Sequence, residues 1–518
     1  MGSRPGVVLA LLIGSSVAHA TSVTTLQDSG PGSLRAAVGQ ANSGATNSIS
    51  IDVAGTIELA AALPIVNPSG TLTITGPGAS QLTIQRAGTA ANFPVFTFAG
   101  SVQMSGVTIS GGAGDTGVGG GIDLLATGSL VLLDSTVSGN TAPAGSAIRA
   151  AGTLQIRRST ITGNIGIGAI YAAGGATILD STIAGNTGTA IVALPPAGKT
   201  LSIDRSTISG NTELAGSGGL ELQGGTASVR NATFSGNTGA MAGDFWVHDG
   251  GNLALLNVTA ADSTPPALLS TAVVTLRNTL LAGAGTRCAA GANLPTSLGH
   301  NLASDSSCNL TGAGDKPAVD PMLGPLAANG GPTQTRALLR GSPAFDGGDA
   351  TDLETVDQRG LARVQFTAPD IGAIEAVAPI LTLQPMPVTI LAGAPFTLNV
   401  TAQNPGSAVV LTYQWRKDGA RIPDATSDSY GRVQAQTTDS GSYDVLVTNE
   451  GGSLASMAAS VTVTDPGTGP GSDQPASGGG CCSSAGGGAG GAGVLALVVA
   501  AVLGHRRWPR AANQRHAG

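Results

Sequence analysis

Short apolar segments alternate with polar turns through the middle of the chain, and one six-residue phrase marks each repeat. Its pattern is Ser or Ala, then Thr, an apolar residue, a small residue, Gly and Asn, and it occurs at 135–140, 159–164, 181–186, 206–211 and 232–237. The five Asn residues are separated by 24, 22, 25 and 26 positions. The Thr–apolar pair favours a strand, and Gly-Asn favours a turn.

Each repeat is too short for a helix beside its strands. Further apolar triplets, such as those at 154–156 and 201–203, predict two or three short strands per unit, and no segment of the unit has helical periodicity. A period in this range is typical of a solenoid whose units stack only on their neighbours. The sequence therefore predicts an all-β fold, a right-handed parallel β-helix with repeats over 99–297.

The recurring Asn predicts a structural stack in which each amide bonds the next coil. Calcium binding would require Asp within a nonapeptide repeat, which the sequence lacks. The predicted stack consists of Asn140, Asn164, Asn186, Asn211 and Asn237.

The N-terminus has the composition of an export signal. Arg4, an apolar run at 7–13 and the small-residue site at 18–20 predict a signal peptide over 1–20, with an uncleaved anchor as the alternative. Residues 21–98 are predicted as an N-terminal cap and the first coils, with a short amphipathic helix at 33–38. The segment at 32–36, Gly-Ser-Leu-Arg-Ala, resembles the entry segment of bacterial surface β-helix proteins, although it lacks that segment's Cys and Glu.

The C-terminus contains three parts in a fixed order. A Gly/Ser/Pro linker at 465–488 holds Cys481 and Cys482, and it precedes an apolar segment at 489–504 and a basic tail at 505–518. The apolar segment predicts a transmembrane helix with the tail in the cytoplasm. This order resembles the myxobacterial C-terminal sorting signal, which implies processing near Cys481 or Cys482 by a sorting protease and a membrane-anchored protein on the outer envelope. The alternative is a plain single-pass anchor.

Two further regions separate the repeats from the linker. Residues 298–376, with motifs at 319–326, 357–360 and 369–375, resemble the choice-of-anchor module of surface β-helix proteins. Residues 379–464 contain alternating strands around Trp415 and the segment 439–443, which resembles the immunoglobulin fold. Val400 and Val445 occupy the positions of that fold's cysteines.

Composition narrows the possible partners. Without Arg4 and the four tail arginines, 19 basic and 31 acidic residues remain, a net charge of −12. No basic patch is present, so nucleic acid is not expected as a partner. In an exported chain Cys288 and Cys308 favour a disulfide, with two free thiols as the alternative.

Aligning the coils by their Asn residues gives a column predicted to point outward from one strand. It contains Asp123, Arg149, Tyr171, Val192, Glu221 and Trp246, joined by Gln223 and His248. Tyr171 and Trp246 suit stacking on sugar rings, and Glu221 with Asp244 or Asp249 suits a catalytic carboxylate pair. The sequence contains no calcium cluster, metalloprotease motif, nucleophile elbow or P-loop, so no metal or cofactor is predicted and binding is favoured over catalysis.

A second column lies just before the recurring phrase. Its members are Asp134, Arg158, Asp180 and Arg205, followed by Asn231, Asn257 and Asn278. Alternating charges on neighbouring strands attract each other, so this charge ladder is predicted to fix the register of the coils.

These features predict an exported, surface-anchored β-helix protein. Its expected work is to present an elongated surface for adhesion, or for binding an extracellular polysaccharide or a cell-surface protein. Two alternatives stay open: a polysaccharide lyase or glycoside hydrolase on the same scaffold, and a structural envelope protein.

Overall fold

The computed structural model describes residues 20–289, 293–351, 354–404, 410–449, 451–465 and 467. Its largest part is a solenoid of parallel strands, and the predicted parallel β-helix is confirmed. Two of its three faces form one continuous sheet of 21 strands, and the third face is an eight-stranded sheet.

The first face consists of the strands Ala20–Val23, Ser48–Ile51, Leu72–Thr75, Ser101–Ser105, Ser129–Leu133, Thr153–Arg157, Ala176–Leu179, Thr200–Asp204, the first halves of Thr226–Ser235 and Asn252–Ala261, Val273–Arg277 and Thr296–Ser297. The second face consists of Gly55–Leu59, Leu82–Arg86, Thr108–Ser110, Thr136–Ser138, Thr160–Thr162, Thr182–Ala184, Thr207–Ser209, the second halves of the two long strands, Leu280–Ala282 and Leu302–Ala303. The third face consists of Phe96–Phe98, Ile122–Leu124, Ile148–Ala150, Ile170–Ala172, Ile191–Ala193, Leu220–Gln223, Phe245–His248 and Leu268–Ser270. Two short pairs, Thr141–Ala144 with Ile165–Ile167 and Thr212–Glu213 with Thr238–Gly239, lie beside these faces.

The recurring phrase sets the alignment of the coils. Thr136, Thr160, Thr182 and Thr207 are register partners on four successive strands. The apolar residue that follows each Thr is fully buried, as for Ile161. Strand residues alternate between inside and outside, so every coil contributes Val, Ile, Leu or Phe to one continuous core.

One residue in each coil turns the chain from the first face to the second. This corner residue has a left-handed backbone conformation, with φ between +45° and +54°. The corner column is Asp134, Arg158, Asp180, Arg205, Asn231, Asn257 and Asn278, the column predicted as a charge ladder and its Asn continuation. Asp and Asn tolerate this conformation better than most residues do, which explains their frequency here.

The predicted N-terminal helix is present and longer than expected. It spans Leu34–Asn42, and the Ser33 hydroxyl caps it by accepting a hydrogen bond from the Ala36 N–H at 3.3 Å. Leu34 and Val38 on its buried face belong to the solenoid core.

Residues 319–376 fold back over the second face of the solenoid. They contain the hairpin Leu323–Ala327 with Thr335–Leu338. The Gln358 amide donates to Thr207 Oγ1 at 3.0 Å and accepts from Thr233 Oγ1 at 2.6 Å. The Ala373 N–H donates to Thr259 Oγ1 at 2.9 Å. This segment therefore covers the column of Thr residues that is left uncovered on the earlier coils.

Residues 380–464 form further sheets around a separate core. A six-stranded sheet contains Val388–Leu391, Thr412–Lys417, Ala420–Arg421, Gly441–Asn449, Gly452–Ala455 and Ala459–Thr464. Two pairs accompany it, Ile380–Leu383 with Thr401–Gln403 and Phe396–Asn399 with Ser429–Arg432, and a 3-10 turn spans Thr437–Asp439. Trp415, Tyr443, Val400 and Val445 lie in this core.

The predicted fold class is wrong in including a transmembrane helix. Among the described residues no helix is long and apolar enough to cross a membrane. The α-helix Leu34–Asn42 has nine residues, about 14 Å, whereas the hydrocarbon core of a bilayer is about 30 Å thick. The segment 489–504, on which the prediction rested, lies outside the described residues.

Candidate functional site

The predicted outward column lies on the third face in continuous register. Asp123 pairs with Arg149, which pairs with Tyr171, and the register continues through Val192, Glu221 and Trp246. The residues on either side of each member point into the core. Ile148 and Ala150, for example, flank Arg149 and are buried, which fixes the direction of the middle side chain.

The prediction that the whole column faces solvent is wrong for three members. Asp123, Val192 and Glu221 are buried at 5%, 1% and 7% exposure. The loops before the third-face strands fold over these side chains. The Gly119 N–H donates to Asp123 Oδ1 at 3.3 Å, and a Cβ added at Gly216 would lie 3.0 Å from Glu221 Oε2. Small residues in these loops thus let the backbone approach the face closely.

At the N-terminal end of the column, an ion pair occupies polar groups that a ligand would otherwise contact. Arg149 Nη1 lies 3.0 Å from Asp123 Oδ1, so these two predicted ligand-binding residues bond each other. Tyr171 in the next coil is half-buried. This end of the column therefore offers few free polar groups to a ligand.

The C-terminal end of the column forms a compact cluster, which we call the Trp246 cluster: Glu221, Gln223, Trp246, His248 and Asp249. The indole of Trp246 stacks on the imidazole of His248, with ring centroids 4.2 Å apart. His248 Nε2 lies 3.2 Å from Glu221 Oε1, and Nδ1 lies 2.9 Å from Asp249 Oδ2. Gln223 Nε2 donates to Glu221 Oε1 at 2.5 Å. The aromatic rings thus stand close to the exposed carboxylate of Asp249, which can accept hydrogen bonds from a ligand, whereas the Glu221 carboxylate is buried.

The carboxylate pairs considered for catalysis are not formed. Asp244 is fully buried and bonds Asn237 and Ser263 inside the solenoid, so Glu221 and Asp244 do not share an accessible site. Glu221 and Asp249 bond opposite nitrogens of His248, which places the imidazole between them. Over the described ranges no group of three or more His, Cys, Asp or Glu is arranged to hold a metal ion.

The five Asn side chains form an unbroken stack inside the solenoid. Each Nδ2 donates to Oδ1 of the next Asn at 2.9–3.0 Å, from Asn140 to Asn237. Each Oδ1 from Asn164 onward also accepts the backbone N–H of the preceding Asn at 3.0–3.1 Å. All five side chains are buried, so the stack satisfies polar groups that have no access to water.

A second stack, made of serines, runs parallel to it and was missed by the sequence analysis. The N–H groups of Ser135, Ser159 and Ser181 donate to the hydroxyl of the next serine at 3.1–3.2 Å, ending at Ser206. The sequence did indicate this stack, since Ser is the first residue of the phrase in four of its five copies.

Asp244 ends the Asn stack. Its Oδ1 accepts from Asn237 Nδ2 at 3.0 Å and from Ser263 Oγ at 2.6 Å, while Oδ2 is buried without a hydrogen-bond partner. Burial raises the pKa of Asp244 from 3.8 to about 6, although the bonds from Ser263 and Asn237 act in the opposite direction. The ionised form therefore costs folding free energy.

We expect Asp244→Asn to flatten the pH dependence of stability. An acid whose folded pKa is raised contributes stability below its unfolded pKa, near 4, and this is lost as pH rises through about 6. The shift corresponds to about 3 kcal/mol at pH 8. Urea unfolding should show that, from pH 4 to pH 8, the free energy of unfolding of the wild type falls by about 1–3 kcal/mol more than that of the variant. Asp115→Asn, at an exposed site, should behave as wild type; equal losses in wild type and Asp244→Asn would contradict the assignment.

The corner column contains two ion pairs and three buried amides. Arg158 bonds Asp134 at 2.7 and 2.8 Å, and Arg205 bonds Asp180 at 2.8 and 3.1 Å. These hydrogen bonds raise the pKa of Arg158 and lower that of Asp134. Where residues 319–376 cover the column, its members are the buried Asn231, Asn257 and Asn278.

Two of the three covered amides bond the segment that covers them, whereas Nδ2 and Oδ1 of Asn257 are buried without a hydrogen-bond partner. Arg363 Nη2 donates to Asn231 Oδ1 at 2.8 Å, and Asn278 exchanges two hydrogen bonds with the backbone of Asp349 at 2.8 and 2.9 Å. An unpaired charge would be costly under this cover, whereas an amide can both donate and accept.

Of the remaining predicted residues, Cys288 and Cys308 are joined by a disulfide with an S–S distance of 2.05 Å. Cys481 and Cys482, and the signal peptide apart from Ala20, lie outside the described residues.

Similar proteins cover separate parts of the chain. A stretch of 75 residues is 43% identical to the "Decoration protein" of Escherichia phage T5, and this match covers 14% of this chain and 44% of that protein. The chain thus spans less than half the length of this curated relative. Among solved structures, the N-terminal Ig1-2 module of the Drosophila receptor protein tyrosine phosphatase DLAR is 18% identical, with a TM-score of 0.15, over 17% of this chain and 45% of that one. Sidekick-1 immunoglobulin domains 1-5 are 24% identical, also with a TM-score of 0.15, over 17% of this chain and 18% of that one.

A family model supports the solenoid directly. Residues 144–302 match the model described as the right handed beta helix region. This range contains the recurring phrase from its second copy onward and the stacked strands of all three faces. The chain therefore contains a right-handed parallel β-helix.

Proposed function

We propose that this protein binds an extracellular glycan through the Trp246 cluster on the third face of its β-helix. The observation that carries the proposal is the stacked Trp246–His248 pair beside the carboxylates of Glu221 and Asp249. A sugar ring has an apolar face that can lie on an aromatic ring, and hydroxyls that donate to carboxylates. The half-buried indole and the 76% exposed side chain of Asp249 supply both kinds of contact.

The same proposal places the protein outside the cell. The predicted signal peptide and the motif at Cys481 and Cys482 support export, with processing by a sorting protease and display on the cell surface. The disulfide between Cys288 and Cys308 fits an oxidising compartment. Residues 298–376 would then act as a choice-of-anchor module.

We also propose an immunoglobulin-like sandwich for residues 379–464, which would hold the solenoid away from the surface. Trp415 is fully buried in its core, and the Tyr443 hydroxyl donates to the Asp439 carbonyl at 2.7 Å. A buried Trp and a tyrosine bonded back to the chain just upstream are features of that fold.

Trp246→Ala should weaken glycan binding about tenfold, because loss of ring stacking removes roughly 1.4 kcal/mol. A glycan array would find the ligand, and calorimetry would compare the variant with Gln155→Ala on the first face. Gln155→Ala should bind as wild type. Equal affinity of all three proteins for every bound glycan would contradict the proposal.

The hydrolase or lyase alternative has its own readout in the same experiment. Release of reducing ends or unsaturated uronides from a bound glycan would show catalysis in addition to binding. Glu221→Gln should then abolish this release. Glu221 is the residue to change because its carboxylate contacts both His248 and Gln223.

A further inference from the structure

A groove of about 670 Å³ lies on the six-stranded sheet of residues 380–464, and Arg340 of the preceding segment lines it as well. The groove follows the side of the sheet opposite the Trp415 core. Its lining residues from four strands of this sheet stand in cross-strand register: Thr412 with Thr448, Gln414 with Leu446, Arg416 with Arg421, and Thr448 with Ser453. Side chains on one face of adjacent strands lie close together, so this register builds one continuous surface.

The groove is cationic in an acidic protein. The chain carries a formal net charge of −7, yet three arginines line this one groove. Arg416 is held by Asp444, with Nε 3.0 Å from Oδ1. Arg340 and Arg421 are exposed, and neither has an ion-pair partner among the described residues. Two guanidinium groups are therefore available for an anion, which arginine binds in a bidentate manner.

The same groove contains a buried acceptor that the protein leaves unsatisfied. Gln414 Nε2 donates to the backbone carbonyls of Trp415 and Ile422 at 2.9 and 2.8 Å, and these bonds fix the amide orientation. Its Oε1 is buried and accepts no hydrogen bond. Buried polar groups nearly always have a partner, so a ligand hydroxyl that reached this oxygen would satisfy it.

Hydroxyl groups line the other end. Thr448 Oγ1 and Ser453 Oγ lie 2.7 Å apart, and Thr412 Oγ1 donates to the Thr448 carbonyl at 3.3 Å. These groups suit a ligand that is itself rich in hydroxyls. A suitable ligand therefore combines anionic groups for Arg340 and Arg421 with hydroxyls for this end of the groove.

We propose that this groove binds an acidic polysaccharide, one whose sugar rings carry both hydroxyls and carboxylate or sulfate groups. Arg340 and Arg421 contact the anionic groups, and the hydroxyls of Thr412, Thr448 and Ser453 bond the sugar hydroxyls. The site is separate from the Trp246 cluster. The proposal for the groove does not depend on the glycan-binding function proposed for that cluster.

Binding of the full chain to polygalacturonate and to dextran sulfate tests this, because the first carries carboxylates and the second sulfates. Neutral dextran and single-stranded DNA are the comparison ligands. Arg340→Gln with Arg421→Gln should weaken binding of the preferred polymer about a hundredfold, roughly tenfold for each charge-assisted contact. Binding should also weaken as salt is raised. Arg432→Gln, an exposed arginine of the same region outside the groove, should bind as wild type.

The outcomes separate the proposal from its competitors. Preference for one polymer identifies the anionic group, while loss in the double variant with an unchanged thermal melt supports the site. Arg421→Glu gives a second measure, since a reversed charge should abolish binding. Absence of binding to both acidic polymers, equal binding by the double variant, or tighter binding of DNA than of either polymer would each overturn the proposal. A change caused by Trp246→Ala but not by the groove variants would also overturn it while leaving the Trp246 cluster intact.

Discussion

Asn186→Ala should lower the free energy of unfolding by about 4–6 kcal/mol. The Asn186 amide donates to the carbonyls of Ile161 and Ala184 and to Asn211 Oδ1 at 2.9–3.3 Å. Its Oδ1 accepts both the N–H and the Nδ2 of Asn164 at 3.0 Å. Alanine would leave several of these buried groups without a partner, and each unsatisfied group costs about 1–3 kcal/mol. Equilibrium denaturation in urea measures the loss.

The neighbouring residue supplies the control. Thr187 follows Asn186 directly, its side chain is exposed, and its backbone N–H bonds the Asn164 carbonyl at 2.9 Å whatever its side chain is. Thr187→Ala should therefore change stability by less than about 0.5 kcal/mol. If both variants lost the same free energy, the Asn stack would contribute nothing beyond the strands that carry it.

The coil register could be predicted from sequence because the recurring phrase supplies a chemical reason for alignment. An amide that must bond the amide above and below it occurs once per coil at the same position, so its spacing gives the period directly. Thr160 and Thr182, aligned by this spacing alone, are register partners in the structure. The left-handed corner was not predicted, although Asp and Asn at most of its positions were a sign of it.

The burial of the outward column could not be read from the period. Alternation within a strand fixes which side chains leave the core, as for Glu221, but it does not show which loop lies over them. The loops before the third-face strands have no regular pattern, and a close approach such as that of Gly216 to Glu221 depends on the backbone path. Local spacing therefore predicts the direction of a side chain better than its exposure.

The cover over the second face arises from contacts between residues far apart in sequence. Gln358 bonds Thr207 and Thr233, which are 151 and 125 positions away. Nothing local distinguishes these two from Thr160 or Thr182, which are half-buried and lie outside the covered coils. The change to Asn in the corner column lies close to this boundary but does not mark it, because the first covered coil, that of Thr207, still has the charged Arg205 at its corner.

Trp415→Ala should lower the stability of the isolated segment 379–464 by about 3–5 kcal/mol. The indole is fully buried, and its Nε1 donates to the Ser427 carbonyl at 3.0 Å. Truncation would open a large cavity and leave that carbonyl without its donor.

The segment should first melt cooperatively as wild type, because its core cluster is built from its own residues, including Tyr443 and Val445. Thermal and urea unfolding would measure both properties, with Thr462→Ala at an exposed strand position as the matched control. A wild-type segment that melts without cooperativity would show that this core depends on the preceding residues. A Trp415→Ala loss no larger than that of Thr462→Ala would show that the indole is not its central packing element.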